Sequence, residues 1–79
     1  MKVLIAMSPE HYELFAAECD IKSPEYSILK NAIVSRDDGR AINLLCDENK
    51  ATQLLQAARQ LYPAAADPIA KALDQSREL

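Results

Sequence analysis

The chain is poor in several residue types that functional motifs require. It has one glycine, Gly39, so the glycine-rich loops that cradle phosphates are excluded in their usual forms. It has no tryptophan, one phenylalanine (Phe15) and one histidine (His11). Its two cysteines, Cys19 and Cys46, do not make a disulfide framework. No Cys-x-x-Cys and no paired histidines occur, so spacing gives no support to a metal site, and no cofactor is expected. Lys and Arg form no cluster and the formal charge is −3, which argues against nucleic acid and against an anionic membrane as partners. The apolar run Val3 to Met7 is too short to span a bilayer and lacks the features of a secretory signal. These absences point to the cytoplasm.

What remains is a 79-residue chain, nearly half apolar, with the length of one domain. Much of the apolar fraction is alanine, so the core is modest. Chains this short bury a smaller share of their surface than longer ones, and self-association is a common remedy.

The strongest pattern lies between Asp47 and Tyr62. Ala51, Leu54, Leu55, Ala58, Leu61 and Tyr62 recur at helical spacing and predict one apolar stripe. Asp47 is placed to cap this helix, Glu48 suits the positive end of its dipole, and Pro63 ends it. Its outer face, with Gln53, Gln56, Gln60, Lys50 and Arg59, is polar with little net charge, a surface open to a partner.

Upstream, Lys2 to Met7 is rich in β-formers and reads as a buried strand. Ser8-Pro9-Glu10 then starts a helix whose inward stripe is Tyr12, Phe15, Ala16 and Cys19, with Leu14 on the flank. Asp38-Gly39, set between apolar stretches, predicts a hairpin with arms near 31–36 and 41–46. Residues 24–29 read either as a helical turn, from Ser23-Pro24-Glu25, or as an extension of the first arm. Asp67-Pro68 restarts a last helix with Ile69, Ala72 and Leu73 on one side, and a frayed tail follows from Gln75.

The expected fold class is α+β: a small three-stranded sheet with helices packed on one face, in the order β-α-β-β-α-α. Residues 1–79 form a single compact domain, with 63–79 a C-terminal helical extension. The order resembles part of a ferredoxin-like βαββαβ unit whose last strand is replaced by a helix. That resemblance is architectural and brings no function with it. A mainly α-helical fold is the alternative.

Three functional readings follow. The first is an interaction or regulatory module without catalytic activity, a homodimer joined through a sheet edge or the packed helices, with Ile33, Val34, Ile42 and Leu44 at the interface. The second is a small thiol-dependent enzyme or redox protein using Cys46, with His11 or Cys19 nearby. A thiol beside a helix start is favoured as thiolate, although Asp47 and Glu48 oppose this. The third is a domain that holds a small anion at the start of the first helix.

Overall fold

The computed structural model describes residues 2–37 and 41–77. The Asp38-Gly39 turn lies outside the described residues. The elements are β1 (Lys2–Met7), α1 (Pro9–Glu18), α2 (Pro24–Asn31), β2 (Ile33–Asp37), β3 (Ala41–Asp47), α3 (Glu48–Leu61), a single 3-10 turn (Pro63–Ala65) and α4 (Ala66–Arg77). This is an α+β fold. The strands form an antiparallel sheet in the order β1-β3-β2, with β3 at the centre.

The two Ser-Pro-Glu segments start helices by the same chemistry. Ser8 and Ser23 hold extended backbone, and their hydroxyls accept the N–H groups of His11 and Tyr26. Each is followed by a proline whose missing N–H costs nothing in a first turn. The second cap resolves the ambiguity over 24–29: the segment is helical and runs on to Asn31, in spite of its β-forming side chains. The element order is therefore β-α-α-β-β-α-α, with one more helix than expected. With this added helix, and with no fourth strand among the described residues, the ferredoxin-like order is not established.

Alternation along the strands divides the sheet into two unlike faces. Val3, Ile5 and Met7 of β1 and Ile42, Leu44 and Cys46 of β3 point into the core. All four helices contribute to that same core: Tyr12, Phe15 and Ala16 from α1, Leu29 from α2, Ala51, Leu54, Ala57 and Ala58 from α3, and Ile69, Ala72 and Leu73 from α4. The last helix is thus a full member of the core. It begins at Ala66, so Asp67 and Pro68 lie inside its first turn, and it remains helical to Arg77, where a frayed tail was expected.

α3 keeps its expected span but is rolled slightly. Ala57 is buried beside Leu54 and Ala58, whereas Leu61 is exposed and Leu55 and Tyr62 are only partly covered.

Candidate functional site

The expected interface residues divide between inside and outside. Ile42 and Leu44 are 1% and 0% exposed, so their side chains are committed to the core and unavailable to a partner. Ile33 is partly buried opposite Leu44. Val34 is exposed on the outer strand, where the register between Ile33 and Ser35 slips by one residue. An irregularity of this kind, on a strand of five residues, makes β2 a poor template for edge-to-edge pairing. The other outer strand, β1, has α4 packed beside it.

The thiols lie in surroundings that disfavour the thiolate. Cys19 closes α1 and Cys46 lies on the inner side of β3, and both are buried and unpaired. Burial pushes both thiols above their ordinary pKa, with Glu25 and Glu18 adding to the effect at Cys19 and Asp47 at Cys46. Lys50 and Lys2 oppose the rise at Cys46 without cancelling it. Cys46 does line a cleft of about 370 Å³ between α2 and the start of α3, shared with Lys2, Asn31, Asp47, Lys50 and Gln53.

His11 is not beside this cleft. Its ring lies 6.0 Å from that of Tyr62, which follows the last residue of α3. Cys46 is just ahead of the other end of the same 14-residue helix, about 21 Å away at 1.5 Å per residue. The structure does not bring the two together as a nucleophile and its base. The start of α1 also has few donors for an anion: Pro9 has no N–H, the His11 N–H is given to Ser8, and Tyr12 N–H bonds the Ser8 carbonyl. Among the described residues, no three His, Cys, Asp or Glu side chains converge as metal ligands.

The residues that periodicity alone passed over lie on the uncovered face of the sheet. Leu4 of β1 stands directly opposite Leu45 of β3, and the two are 57% and 41% exposed. On one side of this apolar row, Lys2 faces Asp47 with Nζ and Oδ1 2.9 Å apart. On the other, Ala6 faces Asn43, whose amide donates to the Ser35 hydroxyl at 2.7 Å. Both leucines are open to solvent, and Leu45, with Lys2 and Asp47, also lines the cleft beside α2. The Lys2 ammonium holds the Asp47 carboxyl below its usual range. Because that carboxylate is turned to Lys2, Asp47 occupies the cap position of α3 without a side-chain cap hydrogen bond.

A signal for this face was present. An apolar run on a sheet covered from one side must turn every second residue outward. The apolar run Val3 to Met7 predicts a buried strand, and in the structure Val3, Ile5 and Met7 are buried while Leu4 is exposed. Compared with protein-family models, curated proteins and solved structures, the chain matches none. Among the described residues no helix is long and apolar enough to cross a membrane.

Proposed function

We propose that this protein is a small interaction module without catalytic chemistry of its own, and that the uncovered face of its sheet is its working surface. One observation carries the reading: Leu4 and Leu45 are placed side by side, both exposed, on the face of the sheet turned away from the core. Fully covering a leucine is worth roughly 1.5–3 kcal/mol, so a partner laid on this row gains from contact that the monomer leaves unused. The polar positions around the row, Lys2, Asp47, Asn43 and Ser35, already have partners within the chain, which lowers the cost of bringing another surface against them.

The buried thiols support the same reading, since their environment disfavours the thiolate that catalysis needs. Two free cysteines also accord with a cytoplasmic setting, where thiols stay reduced.

Site-specific photo-crosslinking tests the proposal. A crosslinking side chain introduced at position 4 or 45 should give discrete protein adducts, with the purified protein or in a cell extract. The same group at Gln56, on the outer side of α3, should give none. Adducts at position 56, with none at 4 or 45, would move the working surface to the helices and end this reading.

A further inference from the structure

The partner that fits this face best is a second copy of the chain. The inference rests on the proposed working surface and goes further, by naming its occupant. The evidence is the order of chemistry across β1 and β3. Going along the pair, the opposed residues on the open face are Lys2 with Asp47, Leu4 with Leu45, and Ala6 with Asn43. A two-fold axis running between these strands and parallel to them exchanges the two columns. It sets Lys2 of one copy over Asp47 of the other, Leu4 over Leu45, and the small Ala6 over Asn43.

Each row is therefore self-complementary. The two Lys2–Asp47 pairs close into a cluster of four charges with alternating sign, and the leucines form a continuous apolar strip next to it. A surface with a lone charge, or with two of the same sign, meets itself with repulsion under any such axis; this one does not. Stacked sheets sit about 10 Å apart with strands within about 30° of one another, which suits this arrangement of side chains.

We infer that the protein forms an isologous dimer in which two open sheet faces stack about this axis, with helices on the outer sides. The contact differs from the dimer expected from the sequence, which was joined through a sheet edge or the packed helices. It leaves β2 unpaired and uses neither Ile42 nor Leu44.

Sedimentation velocity on charge-altered variants tests both the partner and the axis. Lys2→Glu makes the end of the face wholly acidic and Asp47→Lys makes it wholly basic. The unaltered protein should sediment as a dimer in the upper micromolar range. Each variant alone should dissociate at about tenfold or more lower dilution, because like charges then meet across the axis. An equimolar mixture of the two variants should regain the dimer.

Both side chains are largely exposed, at 66% and 49%, so the fold should survive, and circular dichroism checks this. If either variant fails to fold, Leu4→Glu with Leu45→Lys poses the same question at the next row: monomers apart, a dimer when mixed. An unaltered protein that stays monomeric throughout the range overturns the inference, as does a mixture that fails to re-form the dimer. Heterologous crosslinks at positions 4 and 45 from a monomeric protein would leave the working surface in place and remove only the second copy.

Discussion

The Tyr12 hydroxyl donates a hydrogen bond of 3.2 Å to the Leu29 carbonyl, deep in the core. α2 ends at Asn31, so this carbonyl is among the last four of the helix, which have no partner within it. A side chain from α1 thus completes the end of α2 and fixes the two helices to one another. Tyr12→Phe keeps the ring, with Lys30 and Arg36 near its face, and removes only the donor. The expected loss is about 1–3 kcal/mol, the usual cost of leaving a buried acceptor unpaired, read from urea unfolding.

Leu44 and Leu45 are neighbours in sequence on opposite sides of the sheet. Leu44→Ala should cost about 2–5 kcal/mol, because it opens a cavity at a fully buried position. Leu45→Ala should change the stability of the monomer by about 0.5 kcal/mol or less. Chemical denaturation of both variants at low concentration checks the contrast. Equal losses would mean that the two faces are not as unlike as their exposure indicates.

Three buried groups tie stability to alkaline pH. Cys19, Cys46 and Tyr12 all have their pKa raised, chiefly by burial, from ordinary values of 9.0 for the thiols and 10.0 for the phenol. In the unfolded chain these groups ionise at their ordinary values, while in the folded chain they stay protonated to higher pH. Their contribution is therefore complete below about pH 9 and is lost as the pH climbs through the folded values. The melting temperature should be level with respect to these groups from pH 7 to 8 and fall above pH 9. Cys46→Ala should make that fall shallower.

The same burial governs reactivity. An alkylating or disulfide reagent at neutral pH should leave both thiols intact in the native protein and consume both after unfolding, at a rate that follows the opening of the core. Rapid native labelling of Cys46 alone would mean that the cleft at the start of α3 exposes its sulfur, and would return a thiol chemistry to consideration.

Most of the scaffold was legible where one local rule acted without a competitor. Ser8-Pro9 placed the start of α1, and Tyr12, Phe15, Ala16 and Cys19 lie on its inner side as their spacing required. Pro63 stopped α3 where it stood in the sequence. Over residues 24–29 two rules conflict, β-forming side chains and a serine cap, and the cap prevails, carrying the helix on to Asn31. Asp47 shows why a cap position does not ensure a capping bond. A lysine 45 residues away in sequence, aligned only when β1 pairs with β3, takes its carboxylate. The open face was missed for a related reason. Period-two alternation gives two faces, but which one the helices cover depends on how distant segments pack. Ile42, Leu44, Leu4 and Leu45 are alike in type and differ only in side.

The most direct test is the concentration dependence of leucine methyl resonances in nuclear magnetic resonance spectra. Among the described residues, four leucines with exposed side chains report on two surfaces: Leu4 and Leu45 on the open face, and Leu14 and Leu61 in a shallow groove of about 350 Å³ beside Tyr62. As concentration rises from low micromolar to near millimolar, the methyls of Leu4 and Leu45 should shift together along one binding curve while those of Leu14 and Leu61 stay fixed. Shifts confined to Leu14 and Leu61, or no shift in any of the four, would contradict association through the uncovered sheet.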